Sequence, residues 1–216
     1  PPLHLAERRV AERLAKLARP RVVPDGIDQA LKTATADLTL SERQRDAVRT
    51  SMTHGLMVLT GGPGTGKTTT VRAIVRAQRA LDRRILLCAP TGRAAKRLHE
   101  ATGAEAKTIH RMLEWNPATG GFQRGARDPL DAEVVLVDEA SMLNVQLAHS
   151  LLDAIAPSSR LVLVGDVDQL PPVGPGQVLR ELIASEVGAL VRLEEVFRQA
   201  QRSAIVRGAH AILRGA

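Results

Sequence analysis

The stretch LTGGPGTGKTTT, residues 59–70, lies between an apolar run (LMVL) and a segment of helical periodicity. Gly61 to Thr68 follow G-x-x-x-x-G-K-[ST], and a strand before the octet with a helix after it is the setting in which this pattern holds phosphate. The glycines let successive N–H groups turn inward on one anion, and the helix adds its positive N-terminal end. Phosphate contacts are therefore expected from Gly61, Gly62, Pro63, Gly64, Thr65, Gly66, Lys67, Thr68 and Thr69. Lys67 is expected to reach the β and γ phosphates, and the Thr68 hydroxyl to ligate Mg²⁺. A Gly-rich turn that binds nothing is the alternative.

A strand-loop-helix unit needs neighbours of the same kind. After Leu40, strand-length apolar runs (LMVL, RILLCA, EVVLVD, RLVLVG, ALVRL) alternate with helical stretches (KTTTVRAIVRAQRAL, TGRAAKRLHEA, NVQLAHSLLDAI, GQVLRELIAS). Unbroken Val/Ile/Leu runs are the mark of strands buried on both faces, and the helices between them supply parallel crossovers. The expected fold is α/β, an open parallel sheet with helices on both faces. Ahead of it, Leu5, Val10, Leu14 and Leu17 share one helical face before PRVVPDG breaks the pattern. Residues 1–36 read as a helical docking or linker segment, and 37–216 as the main domain. EWNPATGGFQRGARDPLD, at 114–131, interrupts the alternation and reads as an insertion.

Composition narrows the class further. The chain of 216 residues carries a formal net charge of +7, which suits a polyanionic partner. Arginine outnumbers lysine 25 to 5, however, so a GC-rich coding bias explains the charge equally well. With Trp115, Phe122 and Phe197 as the only aromatics, a long base-stacking platform is excluded, and phosphate contacts would dominate any grip on single strands. The lone Cys88 reads as a buried packing residue, and the histidines show no metal-ligand spacing. No apolar run has membrane-spanning length, and the charged amphipathic N-terminus lacks a signal peptide's apolar centre. A cytosolic, cytoplasmic location is expected.

A triphosphate site also needs an acid for the metal at the end of a neighbouring strand. EVVLVDEAS supplies Asp138 for Mg²⁺ and Glu139 to orient the attacking water, at the strand end where open α/β sheets bind ligands. A plain acid pair at a helix start is the other reading. RLVLVGDVDQLPPVGPG places Gln169 beyond a further strand, where it is either a γ-phosphate contact or an ordinary loop residue.

Taken in order and spacing, GGPGTGKT, APTGRAAKRL, TIHRML, VDEAS, GDVDQLPPVGPG and EVFRQ resemble superfamily 1 DNA helicases, most closely the RecD-like group that includes the exodeoxyribonuclease V alpha subunit. The resemblance runs from about Leu38 to the C-terminus. It implies a RecA-like P-loop NTPase fold and ATP with Mg²⁺ as nucleotide and metal. Gln44 of LSERQRDAV matches an adenine-reading glutamine, although Ser41 to Gln44 also fits a helix capping box. Pro90, Thr91, Gly92 and Arg93 match a segment that touches the DNA backbone, and Thr108 and His110 a second one, His110 being otherwise an ordinary polar helix residue. Gln169 matches the glutamine that couples nucleotide and DNA sites, and Arg198 an arginine reaching the γ-phosphate.

The implied activity is 5′ to 3′ translocation on single-stranded DNA and duplex unwinding at a fork, in recombination and repair. The resemblance further implies a strand-separating pin before the acidic motif. Trp115 and Phe122 flank the turn signals of NPATGG and make a short hairpin the candidate, beside a plain surface loop. The second RecA-like half of such motors is expected to be absent from this chain, which on this reading would not unwind DNA alone; partner subunits are not legible. A different class remains open, an ATP-switched binding module for nucleic acid or protein without translocation. A P-loop kinase or GTPase is disfavoured, since neither a lid stretch nor an N-K-x-D motif is present.

Overall fold

The computed structural model describes residues 2–195, so Arg198 lies outside the described residues. Six strands form one wholly parallel sheet: β1 (Leu56–Gly61), β2 (Ile85–Ala89), β3 (Ala106–Thr108), and, beyond a two-stranded hairpin of β4 (Trp115–Asn116) and β5 (Gly121–Phe122), β6 (Val134–Val137), β7 (Arg160–Gly165) and β8 (Ala189–Leu193). Their order is β3-β2-β6-β7-β1-β8. All five apolar runs are strands.

The pleat explains the runs. Leu56 and Val58, Val135 and Val137, Leu161 and Leu163 pack into one core. Their neighbours Met57 and Leu59, Val134 and Leu136, Val162 and Val164 pack into the other. Every position is therefore apolar while the side-chain period stays at two. Each such side chain contributes about 1.5–3 kcal/mol on burial.

Helices α1 (Leu3–Leu17), α6 (Ile109–Met112), α7 (Val145–Ala154) and α8 (Val178–Ala184) close the first core, and α2 (Ile27–Thr35), α3 (Glu42–Thr53), α4 (Lys67–Ala80) and α5 (Gly92–Thr102) the second. The N-terminal residues read as a docking or linker segment are thus divided between both layers. Ala6, Val10, Leu14 and Leu17 of α1 are buried in the first core, and Ile27, Ala30 and Ala34 of α2 in the second. A four-residue apolar stripe is the same for a helix docked loosely and one seated on a sheet, so periodicity alone does not separate the two.

Cys88 is fully buried on β2, and burial pushes its thiol pKa up, in keeping with a packing role. Among the described residues no helix is long and apolar enough to cross a membrane.

Candidate functional site

In a parallel sheet all strand C-termini share one rim, and every residue singled out in β1, β2, β3, β6 and β7 falls there. The phosphate loop leaves β1 and enters α4. Gly64 and Gly66 hold φ of 76° and 82°, in the left-handed region where a side chain is strained. The Thr65 hydroxyl donates to the Gly62 carbonyl at 2.9 Å, closing the loop on itself. Lys67 Nζ donates to the carbonyls of Gly61 and Gly62. An ammonium has three protons, so two fix the side chain across the loop and one is left for a ligand. Burial lowers the Lys67 pKa, opposed by the charges of Asp166, Glu139 and Asp138.

Those three carboxylates follow β7, which pairs with β1, and β6 on its far side. Asp138 follows β6, and its N–H donates to the Cys88 carbonyl at 2.9 Å. Burial raises its pKa first; the Glu139 charge adds to this, while the Glu139 N–H and Lys67 oppose it. A half-buried carboxylate that resists ionisation and sits within the field of a lysine fits a divalent cation, whose charge would restore the anion. The Thr68 hydroxyl is exposed at the first turn of α4. Glu139 adopts φ of 53°, a strained conformation for a non-glycine residue and one that recurs at functional sites.

Asp166, at the end of β7 between β1 and β6, is 3% exposed, and it was not among the site residues expected from the sequence. Its Oδ1 accepts from the Asp168 N–H at 3.1 Å. Only its position at the end of an apolar run, in VLVGD, pointed to it. A cleft of about 240 Å³ beside the loop is lined by Thr60, Gly61, Gly62, Asp166 and Arg192 among others.

Gln44 bears out the capping-box reading. Its Oε1 accepts from the Ser41 N–H at 2.9 Å and Ser41 caps α3 in return, so the capping box is present. Its Nε2 meanwhile reaches the carbonyls of Thr65 and Gly66 at 3.5 and 3.4 Å, and the residue is 1% exposed. Gln44 thus lies against the phosphate loop through long, weak bonds.

The two further segments follow β2 and β3 on the same rim. Thr91 caps α5 by accepting from Ala94 N–H at 3.2 Å, which leaves the N–H groups of Gly92 and Arg93 ahead of the first helical bond. Arg93 is exposed. Thr108 caps α6 in the same way, accepting from Arg111 N–H at 3.1 Å.

His110 is exposed on α6 and meets the insertion. In the hairpin, Trp115 pairs with Phe122 and Asn116 with Gly121. The Trp115 and Phe122 rings lie 4.9 Å apart edge to face, and His110 stands 5.5 Å from Phe122 and 6.3 Å from Trp115. An Asx turn, with Ala118 N–H on Asn116 Oδ1 at 2.9 Å, and Gly120 at φ of 63° reverse the chain. The aromatic pair therefore sits at the hairpin's base, braced on the Thr108–His110 segment, and residues 117–120 form its tip. Gln169 is exposed in the loop after β7.

Fold and rim together define a RecA-like P-loop nucleotide-binding domain. The chain belongs to the AAA domain family, whose model matches residues 44–175. It is 41% identical over 211 residues to the ATP-dependent RecD2 DNA helicase of Deinococcus radiodurans, covering 97% of this chain and 29% of that protein. It is 44% identical over 166 residues to the RecBCD enzyme subunit RecD of Mycolicibacterium smegmatis, covering 66% of this chain and 30% of that one. The RecD-like resemblance read from the six motifs is borne out. The chain spans about three tenths of the length of these curated relatives. The Pif1 helicase of Candida albicans shares the fold, with a TM-score of 0.56 at 23% identity over 75% of this chain and 41% of that one.

Proposed function

We propose that this chain is the first motor domain of an ATP-dependent 5′ to 3′ DNA helicase acting in recombination and repair. The observation that carries the reading is the shared rim: the phosphate loop and acids follow β1, β6 and β7, while the segments matching DNA contacts follow the adjoining β2 and β3. A shift at the nucleotide is thereby felt one strand away at the DNA.

In this reading Lys67 uses its remaining proton on the β and γ phosphates, while Gly61 to Thr69 cradle them and Gln44 reads the adenine. Mg²⁺, held by Thr68 and Asp138, would neutralise charge on the phosphates as it develops. Glu139 orients the attacking water. Gln169 relays the state of the γ-phosphate, and Arg198 reaches that phosphate. Pro90, Thr91, Gly92, Arg93, Thr108 and His110 hold the DNA backbone, whose contacts position without reading sequence. The hairpin parts the strands at the fork, with Trp115 and Phe122 stiffening its base. A second motor half in the full-length protein closes over the nucleotide and alternates its grip on the strand. We place the motor in the cytoplasm.

The test is made on the full-length protein: ATPase with and without single-stranded DNA, and strand displacement on a duplex with a 5′ tail. Strong DNA stimulation and unwinding, both lost in Lys67→Ala, are expected. ATP binding without stimulation or unwinding would favour a nucleotide-switched binding module instead.

A further inference from the structure

The loop that carries Gln169 leaves the sheet at β7 and runs exposed, with Leu170 87% and Val173 95% exposed. An exposed loop holds a relay residue in place only if it is tied down elsewhere. Three ties lead to one segment, the stretch from Ala140 to Val145 that continues from Asp138 and Glu139.

First, Gly165 lies so close to that stretch that a Cβ there would stand 3.0 Å from the Ser141 nitrogen. Second, the Asn144 carboxamide works in both directions. Its Oδ1 accepts from Leu147 N–H at 2.9 Å, capping α7, and its Nδ2 donates to the Val173 carbonyl at 3.0 Å. Third, Val145 N–H donates to the Pro175 carbonyl at 3.0 Å, and Gly176, at φ of 81°, packs its bare Cα against the Val145 side chain. A Cβ on Gly174 would come within 2.7 Å of Asn144 Nδ2, so the glycine makes room for the donor.

We propose that Asn144 is a positioning residue for the ATPase reaction: by clamping the Val173 carbonyl it fixes the Gln169 loop to the segment bearing Asp138 and Glu139, so that the two move as one body. The inference rests on the helicase reading for its catalytic consequence, while the clamp itself is a statement about this fold. Asn144 touches no reacting group. It acts through Gln169.

Capping and clamping are separable because they use opposite ends of one carboxamide. Asn144→Asp keeps an N-cap acceptor of equal quality but loses the donor and sets a carboxylate against the Val173 carbonyl. Asn144→Ser keeps a cap too short to reach Val173, and serves if the aspartate variant folds poorly. In the full-length protein, amide exchange at Val145 and Gln169, whose protons are held by Pro175 and Asp166 carbonyls, is expected to rise about fivefold, the factor one hydrogen bond contributes. DNA-stimulated kcat should fall by about the same factor with KM for ATP unchanged, and the same substitution on a Gln169→Ala background should cost nothing more.

Unchanged exchange at Val145 and Gln169 would overturn the clamp, and an equal further loss on the Gln169→Ala background would overturn its action through Gln169. If the wild-type protein shows no DNA stimulation, the helicase reading fails, and the exchange measurement still decides the clamp.

Discussion

Gly61 begins the phosphate loop where β1 passes the end of β8, and an added methyl there tests whether the cradle depends on that edge strand. Its φ is not positive, so any effect of Gly61→Ala comes from space and not from backbone conformation. The new Cβ would stand 2.5 Å from the Leu193 carbonyl oxygen and 2.8 Å from Thr65 Oγ1. Carbon and oxygen do not approach much within 3 Å, so strand and loop must part by about 0.5 Å at the least. Overpacking of this kind costs about 1–3 kcal/mol, or about 2–12 °C in the domain's melting transition at about 2–4 °C per kcal/mol. Thr65 holds the loop closed through Gly62, so the displacement is passed to the cradle. A misplacement of about 1 Å can cost about 10² in rate, so half of that is expected to cost about tenfold. Single-turnover hydrolysis at saturating ATP, with calorimetry on the same full-length sample, reads both quantities. A lowered melting transition with unaltered turnover would refute the argument, because the contact would then be packing without influence on the loop.

Asp138→Asn should raise the melting transition of the ligand-free protein at neutral pH while removing Mg²⁺-dependent hydrolysis. The raised pKa means that the protonated form is the better tolerated one: its stabilisation is complete below the ordinary carboxylate range and is lost as pH rises through the raised value. The advantage of the asparagine should therefore vanish on acidification, and a variant that melts lower than wild type at pH 7 would contradict the electrostatics. Gln44→Ala should lower affinity for ATP more than for GTP; equal losses would make Gln44 a brace of the loop and nothing else. Replacing residues 115–122 with a short Gly/Ser turn should spare DNA-stimulated ATPase and reduce unwinding, and losing both together would make the hairpin structural. Glu139→Gln should bind ATP with Mg²⁺ yet turn over slowly, whereas loss of nucleotide binding would exchange the roles of the two acids.

The sheet was legible because a strand buried on both faces writes itself as an unbroken apolar run, as in VVLV of β6. β3 was not, because Ala106 to Thr108 lies at the sheet edge and pairs on one side only, so Lys107 is tolerated in it. The phosphate loop and acid pair were legible as local strings. Asp166 was less so, since its part in the site arises from β7 lying between β1 and β6. The hairpin was announced by Asn-Pro and Gly-Gly, but its brace on His110 joins residues five and twelve positions apart through ring contacts that no periodicity records. Gln44 shows a different limit: one residue carries a cap and a loop contact at once, and a motif names one role at a time.

The hairpin also has a narrow root, at Leu113 and Glu114. Gln123 and Arg124 both return their N–H groups to the Leu113 carbonyl, at 3.2 Å each, so the chain enters and leaves the insertion at nearly the same point. The tip of an excursion closed in this way is set apart from the sheet, while Phe122 at its base stays packed on the core. Each doubling of such a loop costs only about 0.6 kcal/mol of closure entropy. Length at the tip can therefore change at little cost to the sheet beneath, which makes residues 117–120 the natural place to graft a longer wedge, a reporter or a binding peptide.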